Sequence, residues 1–220
     1  AAVLNVMPMK IFLADKQDIT RAGLMYVCNG IDGVECKDVE DRDELIEVLK
    51  YATDSVVILD YTLFDINDAA ELLILNQRFQ NTQWLLFCED LSVDFVRMLI
   101  ASSQQFGILM KESSMQEIRE AINFSIHHQR YICQRMTEML FAPVAKHDEK
   151  VCLTKTETEI LKDIALGMTT KEIAEKRFSS FHTVNTHRKN IFRKLAVNNI
   201  HEATKYALRA GLVDSAEYCI

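Results

Sequence analysis

Four short, almost wholly apolar runs punctuate the first half of the chain: Ile11-Phe12-Leu13-Ala14, Val56-Val57-Ile58-Leu59, Trp84-Leu85-Leu86-Phe87 and Phe106-Gly107-Ile108-Leu109-Met110. Amphipathic stretches of helical period follow them, over Asp18 to Cys28, Asp68 to Phe79, Val93 to Ser103 and from Met115 onward. A strand without polar alternation must be covered on both faces, which is the habit of a parallel sheet with helices on either side. Gly33 to Val39 reads as a weaker strand and Arg42 to Tyr51 as its helix, completing five strand-helix units. The last helix is expected to be long, with Met115, Ile118, Ile122 and Ile126 on one stripe.

Five such units in about 120 residues predict a flavodoxin-like, doubly wound, five-stranded parallel sheet. The strand pattern then stops. Phe141 to Cys152 contains Pro143 and the polar cluster His147-Asp148-Glu149-Lys150, which marks a linker. Beyond it only helical period remains, opened by Thr154 and Glu157 at capping-box spacing and closed first by Gly167. The expected organisation is an α/β domain over 9–130, a helix extension and linker over 131–152, and an all-α, four-helix domain over 153–215.

Charge divides along the same line. Residues 150–220 hold 12 Lys and Arg against 8 Asp and Glu, a net of +4, whereas the preceding residues hold 13 against 24, a net of −11. A basic module joined to an acidic body is the footprint of a nucleic-acid contact, although a solvated helical face has the same composition. No apolar run approaches the roughly 18 residues of a membrane span. Ala1 to Met9 has no basic residue ahead of its apolar stretch. A cytoplasmic protein without a membrane partner is therefore expected. The six cysteines, at 28, 36, 88, 133, 152 and 219, form no C-x-x-C pair and fit free thiols.

In the segment from His182 to Ala196, Val184, Ile191 and Leu195 form an inward stripe. His182, Asn185, Thr186, Lys189 and Arg193 fall opposite, on a face with no aliphatic residue. Amide, hydroxyl and cationic groups on one helical face suit the major groove, where Asn pairs with adenine edges and Lys with guanine. The wording of the segment is more specific than its period. Leu153-Thr154-Lys155-Thr156-Glu157-Thr158-Glu159-Ile160-Leu161, Lys171-Glu172-Ile173-Ala174, His182-Thr183-Val184-Asn185-Thr186-His187 and Arg193-Lys194-Leu195 occur in order, and about 60 residues closely resemble the LuxR-type helix-turn-helix domain. The resemblance implies a scaffold helix at Lys171 to Lys176, a recognition helix at His182 to Ala196 and a pairing helix at His201 to Ala210. It implies base reading by Asn185, Thr186 and Lys189, and phosphate contacts from Lys171, Thr183, Arg188, Arg193 and Lys194.

Parallel sheets bind ligands beyond the carboxyl ends of their strands, here marked by Asp15, Asp60, Cys88 and Lys111. Together these residues resemble the receiver domain of two-component response regulators, and the two domains in this order resemble the NarL/FixJ class. The resemblance implies phosphorylation on Asp60, with Lys111 as charge partner, Cys88 at the position of the switch hydroxyl, Asp15 and Asp60 on a Mg²⁺ ion, a sensor histidine kinase as donor and a homodimer on promoter DNA. It implies a transcription regulator, not an enzyme.

The sequence departs from the family at three places. Asp15 is followed by Lys16 where a second acid is usual, Cys88 replaces a hydroxyl, and Ile108 replaces an aromatic. Lys16 is thus a candidate to take the ion's place against Asp60, and Glu89 a candidate to supply the lost carboxylate. An alternative makes the pocket a redox or ligand sensor, with Lys111 lowering the pKa of Cys88. No Gly-rich phosphate loop follows the first strand, and His127-His128 point too far apart to pair as metal ligands.

Overall fold

The computed structural model describes residues 8–142 and 152–214, which fall into two compact units divided between Ala142 and Pro143. The first contains β1 (Met9–Ala14), α1 (Asp18–Cys28), β2 (Val34–Asp38), α2 (Arg42–Tyr51), β3 (Ser55–Leu59), α3 (Ala69–Arg78), β4 (Thr82–Cys88), α4 (Val93–Ser102), β5 (Phe106–Met110), α5 (Met115–Ile126) and α6 (Gln134–Phe141). All strand pairs are parallel and the spatial order is β2-β1-β3-β4-β5. The chain leaves β1 toward one sheet edge and returns through β3 toward the other, so a crevice opens at the carboxyl ends of β1 and β3.

Every residue of β3, β4 and β5 is buried, including Ser55, Thr82 and Gln83 ahead of their apolar runs, whereas β2 alternates between half-buried and exposed positions. Helix starts are set by short polar caps. Asp41 Oδ1 accepts from Glu44 N at 2.8 Å, Asp68 Oδ1 from Glu71 N at 3.0 Å, and Ser114 Oγ from Glu117 N at 3.2 Å.

Beyond α5 the structure departs from the sequence expectation. Helix α5 spans 12 residues and ends at Ile126, the last residue of the anticipated stripe, and the chain turns at His128 in the left-handed region (φ 57°). Residues 131–133 then run beside β5, where Ile108 N donates to Tyr131 O at 2.7 Å and Cys133 N to Ile108 O at 2.9 Å. Gly107 permits this approach, since a Cβ there would lie 3.1 Å from Tyr131 O and 3.2 Å from Leu85 Cδ1. The separate helix α6 buries Met136 and packs on α4 and β5. Most of the expected linker, residues 143–151, lies outside the described residues.

The second unit consists of α7 (Lys155–Ala165), α8 (Thr170–Lys176), α9 (Phe181–Leu195) and α10 (Ile200–Arg209). Thr154 with Glu157 and Thr169 with Glu172 form complete capping boxes, and Gly167 and Gly211 take the positive φ of 83° and 68° that follows α7 and α10. Helix α7 packs on α9 and α10, and α8 on α9, around Ile160, Leu161, Ile164, Ile173, Val184, Ile191, Ala203 and Ala207. Among the described residues no helix is long and apolar enough to cross a membrane.

Candidate functional site

Three of the four residues anticipated at the sheet's carboxyl edge meet at one point. Asp15 follows β1, Asp60 follows β3 and Lys111 follows β5, and the ladder continues into them: Asp60 N donates to Ala14 O, and Lys111 N to Cys88 O, each at 2.9 Å. Lys111 Nζ lies 2.6 Å from Asp60 Oδ2, 2.9 Å from Asp15 Oδ2 and 3.0 Å from Gln17 Oε1. The Asp15 contact is an ion pair. The other carboxylate oxygens are held by backbone: Asp15 Oδ1 accepts from Gln17 N at 2.7 Å and Asp60 Oδ1 from Thr62 N at 3.0 Å. Gln17, which closes both the loop and the lysine cage, carries no signal by which sequence reasoning could single it out.

Both aspartates are almost fully buried, at 1% and 2% exposure. Burial raises the pKa of Asp60, Lys111 opposes the rise and Asp15 adds to it. For Lys111 burial works downward, but the charges of Asp60 and Asp15 prevail and the ammonium is held above its ordinary value. Two carboxylates and one ammonium leave a net of one negative charge at the point where the sheet opens.

The expectation for Lys16 is overturned. Its ammonium donates to the Glu40 carbonyl and lies 5.4 Å from the centre of the Phe64 ring, so Lys111 is the cation against Asp60. The divalent ion implied by resemblance does not fit the residues present. The facing oxygens of Asp15 and Asp60 are already bridged by an ammonium, and no cluster of three or more His, Cys, Asp or Glu among the described residues could hold a metal. Glu89 is half-buried after β4.

Cys88 is the fourth residue at this edge and is fully buried, with Sγ 3.8 Å from Leu59 O. Burial pushes its thiol well above the ordinary range, and Asp60 adds to the rise against a smaller opposing effect of Lys111. That reverses the expectation of an activated thiolate, because in a dry environment the desolvation of the anion outweighs one nearby ammonium. His127 and His128 both lie at the surface. His127 Nδ1 is 2.7 Å from Asn123 O, and His128 Nε2 is 3.0 Å from Asp54 Oδ2.

In the second unit the loop between α8 and α9 makes a helix-turn-helix, with Ser180 Oγ accepting from Thr183 N at 3.0 Å to start α9. Val184 and Ile191 enter the core as the period predicts. His182, Thr183, Thr186, Lys189 and Arg193 are exposed along α9, Asn185 is half-buried, and Lys171 is exposed on α8. The anticipated outer face is thus present.

Two residues behave otherwise. Arg188 is 6% exposed, donates to Thr170 Oγ1 at 3.0 Å and lies 5.9 Å from the Phe192 ring, so it joins α9 to α8 instead of reaching outward to phosphate. Arg188 stands four residues after Val184, on the inward side of the helix with Ile191 and Leu195, so the period itself places its side chain toward α8. Lys194 is mostly covered and bonds Glu157 Oε2 at 2.7 Å, spending its charge on the capping box of α7. Asp163 is a further anchor the sequence did not mark: it is 2% exposed and receives Lys176 Nζ at 2.7 Å and Arg177 Nε at 2.6 Å.

Comparison with known proteins adds names to this geometry. Residues 151–207 match the family described as bacterial regulatory proteins, luxR family. Over nearly its full length the chain is similar to the transcriptional regulatory protein YxjL of Bacillus subtilis, at 25% identity with 96% of this chain and 100% of that protein covered. It is similar to the response regulator GacA of Pseudomonas aeruginosa, at 26% with 94% and 99% covered, and to the oxygen regulatory protein NreC of Staphylococcus carnosus, at 27% with 94% and 100% covered. Among solved structures, the RcsB response regulator of Salmonella typhimurium shares the fold with a TM-score of 0.55 at 18% identity, covering 91% of this chain and 98% of that one.

Proposed function

We infer that this chain is a DNA-binding transcriptional response regulator of the NarL/FixJ class, a receiver-like α/β unit followed by a LuxR-type helix-turn-helix unit. The observation that carries the reading is α9. It packs one face on the core, turns His182, Thr186, Lys189 and Arg193 outward, and contains no carboxylate along its length. Such a helix meets a polyanion without repulsion and presents hydrogen-bonding groups to base edges.

Asn185, Thr186 and Lys189 are the proposed base readers, and Lys171, Thr183 and Arg193 the proposed phosphate contacts, which fix register without reading sequence. Arg188 and Lys194 act from inside, by holding α9 against α8 and α7. The partner is double-stranded promoter DNA, bound as a homodimer; the structure of RcsB with DNA is the similar case, at 19% identity and a TM-score of 0.53 over 94% of this chain. The chain is proposed to work in the cytoplasm and to have no substrate of its own.

The cluster of Asp15, Lys111 and Asp60 is the proposed control point, with Asp60 as phosphoacceptor. In that step an Asp60 oxygen forms a bond to phosphorus, the donor's bond to phosphorus breaks, and the electron pair leaves with the donor, a phosphohistidine of a sensor kinase or acetyl phosphate. Lys111 stays beside the new phosphoryl oxygens and offsets their charge. The ammonium bridging both acids supports a second reading, in which the receiver is set by a partner or ligand without phosphoryl transfer.

Intact-mass measurement after incubation with acetyl phosphate, with and without Mg²⁺, separates the two. An adduct on the parent chain that is lost in Asp60→Asn is expected for a phosphoacceptor. No adduct under either condition rejects that role and leaves the second reading. For the DNA reading, the full chain is expected to enrich one sequence motif from a random duplex library, and enrichment of none would reject it.

A further inference from the structure

Two phenylalanines at the start of α9 are unexplained by the fold. Phe178 is 99% exposed and Phe181 57% exposed, three residues apart, in a unit whose other large apolar side chains mostly fill its core. The backbone makes Phe178 stranger still. Helix α8 ends in a Schellman motif, with Ser179 N donating to Ala174 O at 2.9 Å and Phe178 N to Glu175 O at 3.3 Å. The second of these residues sits at φ 51°, the left-handed position that suits Gly or Asn. A bulky ring there costs conformational energy, and its exposure returns no burial within this unit.

Phe181 is the first residue of α9 and stands four residues, about one turn, ahead of Asn185 and eight ahead of Lys189, on the helix end that contacts base edges when such motifs dock. The Phe181 position is therefore continuous with the proposed reading face, and Phe178 precedes it by three residues in the turn. The surface around them offers no carboxylate from α9 that would repel DNA. An apolar ring at this place finds one apolar group in the major groove, the 5-methyl of thymine.

We propose that Phe181 is a specificity-determining residue that packs on a thymine methyl beside the bases read by Asn185 and Lys189, with Phe178 covering the adjoining deoxyribose. The proposal rests on the DNA-binding reading and adds to it an apolar readout, so that the preferred site carries a required thymine at its edge.

The test uses the full chain and the motif it enriches from random duplexes. Each thymine of that motif is replaced in turn by deoxyuridine, which removes the methyl and leaves every hydrogen-bonding group in place. Removing one buried methyl is expected to weaken binding about three- to ten-fold at one position, in line with the apolar burial it loses. Phe181→Ala is expected to bind the thymine and deoxyuridine duplexes equally, at the weaker level, and Phe181→Leu to recover part of the difference. Phe178→Gly relieves the backbone, so it is expected to unfold at the same or higher temperature while binding DNA more weakly.

A motif that is enriched but indifferent to every deoxyuridine, or equally sensitive in Phe181→Ala, would overturn the apolar readout and leave DNA binding standing. A loss of self-association in Phe181→Ala with DNA affinity per dimer unchanged would also overturn it, by assigning the rings to a second copy. Failure to enrich any motif defeats this proposal together with the reading beneath it.

Discussion

Lys111 illustrates how much one buried side chain can be asked to do. Its ammonium touches Asp60 and Asp15, both nearly dry, so removing it leaves two buried carboxylates with no counter-charge. Breaking a buried pair in this way typically costs about 3–5 kcal/mol. Lys111→Met is expected to lower the urea midpoint of the first unit accordingly, and restoring charge balance with Asp15→Asn in the same chain to recover part of the loss; an unchanged midpoint for Lys111→Met would show the cluster to be energetically idle. The pH dependence has a definite sign. The folded pKa of Lys111 is raised above its ordinary 10.5, so its contribution is complete below that value and is lost as pH rises through the folded pKa. Glu157 behaves oppositely: burial raises its pKa, but Lys194 and the Thr154 backbone prevail and hold it below its ordinary 4.5. Its contribution to the second unit is present above pH 4.5 and fades as pH falls through the depressed value. Acid titration of helix content is expected to show this midpoint shifted upward in Lys194→Met.

At the scale of elements, α9 divides its work by face. Lys189→Ala is expected to alter the enriched motif and to cost about 1–3 kcal/mol on the parent site if the ammonium grips a guanine. Arg193→Ala is expected to weaken all sequences alike and to lower the salt slope of binding by about one. Competitive binding to the parent and single-base-variant duplexes distinguishes the two, and an unchanged motif in Lys189→Ala would remove it from the readers. Lys194→Ala belongs to another class: it frees Glu157, and its loss of DNA binding is expected to track a lower melting temperature. The start of α7 is equally specific, since Thr154 Oγ1 accepts from Glu157 N and Thr154 N donates to the Glu157 carboxylate. Thr154→Ala is expected to cost about 1 kcal/mol by thermal unfolding.

For the whole molecule, the two units have separate apolar cores, one built on the sheet and one on α7 to α10. Ile191 is fully buried in the second, and Ile191→Ala is expected to cost about 2–5 kcal/mol there. Calorimetry should show one transition displaced and the other unmoved; a single shifted transition would mean that the units unfold together.

Hydrophobic period and local chemistry already encode much of the fold and of the site. The uninterrupted runs at β3, β4 and β5 could only be covered strands, Thr154 with Glu157 could only start a helix, and the residues ending β1, β3 and β5 were marked as a site by their place after those runs. Tertiary structure alone decided where long side chains spend their charge. Lys16 and Lys111 are equally cationic in sequence, yet the loop after β1 turns Lys16 to Glu40 and the end of β5 delivers Lys111 between two aspartates. Arg188 shares the inward phase of Val184 and Ile191, but that its guanidinium meets Thr170 is decided by the fold. The return of residues 131–133 to β5 is likewise invisible in period, because it depends on Gly107 leaving room for a distant backbone. A long flexible side chain reaches several partners of similar local appeal, and only the packed fold decides which of them is within reach and which is already dry.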